Sequence, residues 1–467
     1  MSGRSTRLAA GMALATTLVA TLAGRPASAQ TMLTNTEHVE DLALDGATLW
    51  VATHGGLERY DLARGERTRV FTTLDGLDHN HVRSVAVQGA TVQARTSGAT
   101  CMLEDGRFRC APGGTPFAPR IAPADRRAGH RVTRTLERGP NRYVGTAGGG
   151  VFVVRGDARP RRLTPEGQIC GNHVTDVVGH GGRTYVGTFA DGLCVTDGEG
   201  FRRLETPFRM VNDLESTPHG LFVVATEGAF RSRDGVRFER AFERQAPGAA
   251  NGLAFDGTHL WMTTPAAVFR MRLRRGDAPS RAWWRPGGST AVQDVAVAPD
   301  GAAWVATEDR GAVRIEDDAV RVLDRAAGLP SSWALVVDAA PGGSAVVGTL
   351  RHGAVRIEPD GTRASLDLPD PWLLRVRAQD GRLYLGTQGG AFVMAGDRLR
   401  AIPHVPDPRV HEIREIDGRL WVGTEGGTLV TDPGRAVSSQ DGTRRRGHAT
   451  GGDVLTRGPV REVASMP

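Results

Sequence analysis

The sequence predicts an all-β fold, a β-propeller of about ten four-stranded blades, favouring one ring closed by an N-terminal strand over two half-size rings. A phrase recurs: "TLWVATHGGLERYD" near the start of the chain and "RLWVGTEGGTLVTD" near its end are two of its copies. Aligned on a threonine, the copies fall at Thr53, Thr96, Thr146, Thr188, Thr226, Thr264, Thr307, Thr349, Thr387 and Thr424, about 37 to 50 residues apart, which is the period of a propeller blade. Each copy reads as four short strands, and helical periodicity is almost absent.

Within a copy, an inner strand such as "HVEDLAL" or "VHEIREI" leads through a turn ("QDG", "IDG") into the phrase itself. A glycine turn, a third strand ("GLERYD", "GAVRIE") and an outer strand ("RTRVFTT", "AVRVLD") complete it. An aromatic stands three residues before most threonines (Trp50, Tyr143, Tyr185, Trp261, Trp304, Tyr384, Trp421), with Gln93, Val223 and Val346 as exceptions. The residue just before the threonine is usually glycine or alanine. Large and small side chains at fixed places suit sheets packed face to face, so these positions are read as core. The second copy, with Gln93 and Arg95, is the one read as degenerate.

The ends of the chain follow. Arg4 and Arg7, an apolar run and "ASA" before Gln30 have the layout of a cleaved signal peptide over residues 1–29, so a periplasmic or secreted protein is expected, without membrane insertion. The propeller is expected over residues 30–432. The last copy has no outer strand of its own, and Met32 to Thr34 is expected to supply it and close the ring. Residues 433–467, with "RRR" at Arg444 to Arg446, are expected to be a disordered tail. "APGGTPFAPRIAPADRRAGH" at 111–130 is the nearest thing to a linker.

Composition excludes some chemistry. The formal charge is +6, yet the chain holds no lysine, so Schiff-base and phosphate-loop lysines are ruled out. Acidic residues are interspersed with the arginines, and nucleic-acid binding is not expected. The four cysteines suit an oxidising compartment. In "CMLEDGRFRC", Asp105-Gly106 is a two-residue hairpin turn that sets Glu104 opposite Arg107, Leu103 opposite Phe108 and Cys101 opposite Cys110, a cross-strand disulfide on a close pair. By elimination Cys170 pairs with Cys194, a connectivity that sequence alone does not fix.

The phrase "LWVGTEGG", with "GLDHNHVRSVAV" upstream of a copy and "GLERYD" downstream, resembles the two-component regulator propeller repeat of extracytoplasmic sensor regions in hybrid histidine kinases. The resemblance spans roughly residues 32–432 and implies a propeller outside the cytoplasm that recognises a ligand, often a glycan fragment, or a protein partner. It supplies no catalytic motif, and no transmembrane, kinase or response-regulator part is read in this chain.

Starts of inner strands line a propeller's channel mouth. His38, His81 and His173 stand at matching positions there, with His79 and His130 nearby; His54 and His352 fall in turns of the same face. Converging imidazoles bind metals or act as bases. Equivalent residues of neighbouring units in a wide ring, however, are expected to stand beyond metal-ligand distance, so neither metal nor cofactor is expected. Arg83, Arg134, Arg375 and Arg414 on inner strands offer bidentate donors, with charge balance against Glu40, Asp41, Asp176 and Asp294 the plainer role. The function expected is non-enzymatic binding of a small ligand, a glycan or a protein by a monomer. The alternative is a secreted polysaccharide lyase or hydrolase working at the channel mouth.

Overall fold

Strands of alternating large and small side chains are stable only between two neighbours, and the computed structural model shows how this chain provides them. It describes residues 30–113, 126–127, 129–165, 167–273, 282–286, 290–317 and 319–434. The expected signal peptide, the centre of the proline-rich insertion and the tail from residue 435 lie outside the described residues.

Among the described residues the strands form ten antiparallel sheets, nine of four strands and one of five. We number them blades 1 to 10 along the chain: residues 39–71, 82–112, 126–162, 174–203, 211–241, 253–284, 292–323, 334–366, 373–402 and 410–431. The repeated threonine is structural. Thr53 Oγ1 donates to the carbonyl of Gly56 at 2.7 Å and accepts from the Gly55 amide at 3.1 Å, tying the turn to the third strand. Thr424 does the same with Gly427 and Gly426.

Blade 10 borrows its outer strand from the N-terminus, as expected: Thr31–Leu33 runs antiparallel to its third strand, with Thr31 opposite Val430 and Leu33 opposite Thr428. Hairpin register in blade 2 also follows the sequence, with Cys101 opposite Cys110, and both disulfides, Cys101–Cys110 and Cys170–Cys194, are formed.

The single ring of ten is corrected. The small residue before the threonine receives the first valine of the next blade's inner strand, and this contact reports the spatial order. A Cβ on Gly187 of blade 4 would meet Val211 of blade 5 at 2.6 Å, as the chain order suggests. On Gly423 of blade 10, however, it would meet Val174 of blade 4 at 2.7 Å, and on Gly145 of blade 3 it would meet Val39 of blade 1 at 2.6 Å. Accordingly Trp421 and Val430 share a core with Val174 and Val177, while Tyr143 and Val151 share one with Val39 and Leu42. Blades 4 to 10 thus close a seven-bladed ring. Blades 3, 1 and 2, in that spatial order, form a separate three-bladed arc.

Two sequence readings change with this. Blade 2 is a full four-stranded blade, not a degenerate one. Its Gln93 and Arg95 lie on the face beyond which, among the described residues, no further blade packs. In blade 5 the inner-strand residue Val211 faces Ala225, the position Thr53 holds against Val39 in blade 1. The fifth copy therefore aligns on Ala225 rather than Thr226, which puts buried Phe222 at the aromatic position.

Seams between blades are also laced at the inner strands. Carboxylates of Asp41, Asp176, Asp213, Asp294 and Asp338 accept the backbone N–H of Val85, Leu214, Leu253, Val337 and Ala378, each on the next blade, at 2.6–3.3 Å. The arc is fastened to the ring by asparagines. Asn35 N–H donates to Asn172 Oδ1 and Asn172 Nδ2 donates to the Asn35 carbonyl, both at 2.7 Å, and the Asn80 amide donates to the Pro406 carbonyl at 2.9 Å.

Candidate functional site at the ring mouth

Each inner strand of the ring begins on one face, and the second residue of each, or in blade 6 Asn251 just ahead of the strand, points inward. Thr175, Asn212, Asn251, Gln293, Leu335, Leu374 and His411, one from each blade of the ring or its entry, line a cavity of about 290 Å³ at the channel mouth, with Asp213, Asp294 and Arg375 deeper. Around it the residues that precede the strands and those in the adjoining turns form a rim. Phe189 is 45% exposed and stacks on His173 at 4.8 Å between ring centroids. Trp333 is 40% exposed, and Trp372 lies under the Arg351 guanidinium at 4.6 Å. These aromatics occupy places where other copies carry histidine or other polar residues, a departure visible in "SSWAL" and "DPWLL" that the reading by histidines passed over.

Between blades 10 and 4 the rim is charged. His411 stands 4.8 Å from His173 ring to ring, and Glu425 takes Arg409 at 2.9 Å and His411 Nε2 at 3.4 Å. Burial, and next the neighbouring His411, push His173 down to about 4, so its imidazole is neutral at physiological pH. The hydrogen bond from His411, and then Arg409, hold the Glu425 carboxyl below its ordinary value despite partial burial.

Below the mouth the channel is a buried ionic network. Arg375 Nε meets Glu412 at 2.6 Å, Arg377 meets the same carboxylate at 3.3 Å, and Arg375 and Arg414 approach Asp176 at 3.9 and 4.0 Å. Burial pushes Asp176 up to about 6, with Asp213 adding to the effect against the arginines, and pushes Glu215 up to about 7. Charge balance is thus what Arg375 and Arg414 do here, and Arg134 likewise pairs with Asp41 at 2.9 Å in the arc.

The predicted residues do not converge on one mouth. His173 belongs to the ring, whereas His38 and His81 belong to the arc. Arg83 is exposed on blade 2 and bonds Ser97 at 3.3 Å; His130 packs over Gly149, and His352 bonds its own loop at Leu350. His79 lies 4.0 Å from Asp407 of the ring. The expected separation of equivalent histidines is corrected in the arc. His54 Nε2 lies 2.7 Å from Glu40 Oε1, and His81 Nε2 and His38 Nε2 stand at 3.6 and 3.8 Å from the same oxygen. His38 stacks on His54 at 3.8 Å between ring centroids, and the His81 ring lies tilted 4.1 Å from His54. A wide ring would part these strands, but turns of blade 1 and the start of blade 2 meet over one carboxylate.

No family model matches the chain, and no curated protein matches it in sequence. Solved structures do match. The extracellular domain of a protein assigned as a hybrid two-component system from B. thetaiotaomicron gives a TM-score of 0.51 at 15% identity, over 85% of this chain and 61% of that one. This is a likeness of fold, and it is to the class of protein that the repeated phrase resembles. PorZ, a surface component of the type-IX secretion system of Porphyromonas gingivalis, gives 0.48 at 12% identity over 85% and 74% of the two chains. Virginiamycin B lyase from Staphylococcus aureus gives 0.48 at 14% identity over 56% and 96%. Among the described residues no helix is long and apolar enough to cross a membrane.

Proposed function

We propose that the protein is a non-enzymatic recognition propeller acting outside the cytoplasm, and that its ring mouth binds a glycan. One observation carries this reading: exposed Phe189 and Trp333, and Trp372 under Arg351, stand at strand entries and turns that adjoin a polar cavity. Sugar rings offer such a site C–H faces for the aromatics and hydroxyls for Asn212, Asn251 and Gln293. Both disulfides suit export. The test is a panel of neutral and acidic oligosaccharides against purified protein, followed by calorimetry on hits. Binding that weakens at least about tenfold in Trp333→Ala and Phe189→Ala supports the proposal. A protein segment that competes for the same rim, with no glycan bound, would replace the glycan by a peptide ligand.

A second reading rests on the charged sector. Arg409 and His411 both reach the Glu425 carboxylate beside a neutral His173, a grouping that offers a polysaccharide lyase or hydrolase a base and charge stabilisation. Turnover of any oligosaccharide in the panel that is abolished by His173→Ala would establish it in place of binding.

A further inference from the structure

The arc carries a cluster that the ring mouth does not use. His38, Glu40 and His54 each offer a ligand atom, all within 4.8 Å of one another. His81 adds a fourth: its Nε2 is buried, has no hydrogen-bond partner and points to the Glu40 oxygen from 3.6 Å. We propose that His38, His54, His81 and Glu40 form a binding site for a divalent transition metal, of which zinc is the type, clamping blade 1 to blade 2.

Geometry supports four ligands on one ion. A tetrahedral zinc with bonds of about 2.0–2.1 Å sets its ligand atoms about 3.3 Å apart, and the three nitrogens stand 2.7, 3.6 and 3.8 Å from Glu40 Oε1. His38, Glu40 and His54 already lie within 4.8 Å of one another, and His81, which stands outside that trio but 3.6 Å from Glu40, would complete the set by turning its side chain inward. The ligands sit on fixed backbone. His38 bridges to Ala147 of blade 3 and its carbonyl accepts the His54 amide at 3.1 Å, Glu40 lies in an inner strand, and His81 immediately precedes another. Three imidazoles and one carboxylate favour zinc, copper, nickel or cobalt over calcium and magnesium, which take oxygen. The trio His173, His411 and Glu425 is a poorer candidate, since Arg409 already occupies Glu425 at 2.9 Å and would repel a cation.

The ion would replace missing support. In a closed propeller every blade is held by a blade on both sides, whereas among the described residues blade 2 meets another blade on one side only; a metal shared by His81 and the three groups of blade 1 would fasten its inner strand to the arc. The experiment uses the full protein, stripped with a chelator and titrated with Zn²⁺ by calorimetry and with Co²⁺ by visible absorption. Expected are one bound equivalent, the intense visible bands of four-coordinate Co²⁺, and a Zn²⁺-dependent rise in melting temperature. His54→Ala and Glu40→Gln should each weaken binding by at least about a hundredfold and abolish that rise. His219→Ala, an exposed histidine of blade 5, should bind as the parent does. Melting curves without metal verify that each variant is folded. No saturable equivalent in the parent, or unchanged affinity in both folded cluster variants, overturns the proposal.

Discussion

At the scale of single residues, the repeat is legible where a side chain meets a neighbouring blade and opaque where it does not. Trp304 is fully buried in the seam to blade 8, while Gln93, its counterpart in blade 2, has no blade beyond it among the described residues. Trp304→Ala is therefore expected to cost about 3–5 kcal/mol and Gln93→Ala no more than about 0.5, measured by denaturant unfolding. Gly423→Val tests the seam from the other side: its branched side chain would press on Val174, and a loss of about 1–3 kcal/mol is expected. The Thr226 alignment went astray for a local reason: "VVATEGAF" is shorter by one glycine than "WVATHGGL", so its strand ends at Ala225. Nothing local signals the channel carboxylates' state, because it depends on burial among other blades. Glu215 has a folded value near 7, above its ordinary one, so the native state holds a proton that the unfolded chain releases. Its ionisation therefore erodes stability as pH rises from about 4.5 through 7. Glu215→Gln should raise the melting temperature relative to the parent at pH 8 and leave it nearly unchanged at pH 4.5; a difference independent of pH would refute this assignment.

At the scale of elements, hairpins and strand ends could be read because each is decided by a few adjacent residues. Asp105-Gly106 adopts positive φ at both positions, 48° and 77°, as its two-residue turn requires, and the cysteine register follows. The N-terminal strand could be read because blade 10 lacked a partner for its third strand. Met32 is buried against Leu420 and Leu429, so removing residues 30–34 is expected to cost at least about 3 kcal/mol and to leave that third strand as a bare edge prone to association. Light scattering beside thermal unfolding would register both effects. The two disulfides should differ as well. By the chain-entropy relation the separation of 9 for Cys101–Cys110 gives about 2.5 kcal/mol, and the 24 for Cys170–Cys194 about 3.4. Paired alanine substitutions are accordingly expected to be the more damaging at 170 and 194, where the bridge also secures the segment that leads from the arc into the ring.

At the scale of the whole molecule, the sequence could announce blades but not their circular order. Most copies offer a similar recess to a similar apolar residue, so blade 3 is chemically able to receive either blade 4 or blade 1; the choice falls to the asparagine contacts at the junction and to how many blades close without strain. Seven do so here, and the histidines that one ring would have held apart are divided between two mouths. The chain enters the ring's last blade, leaves to build the arc, and returns at about residue 168 to complete the ring. This path makes a strong prediction. Thr31 lies opposite Val430, so Asp432, Pro433 and Gly434 can lead directly into Gln30 as a hairpin turn. A permuted chain of residues 168–434 followed by 30–34 contains every strand of the ring and none of the arc. It is expected to fold alone and to unfold in one cooperative transition, because all seven seams remain filled. The arc, residues 35–167, keeps only two seams among three blades and is expected to be unfolded in isolation, or to melt well below the ring. If the permuted chain fails to fold while the intact protein melts as a single unit, the arc is part of the ring's support and not an appendage to it.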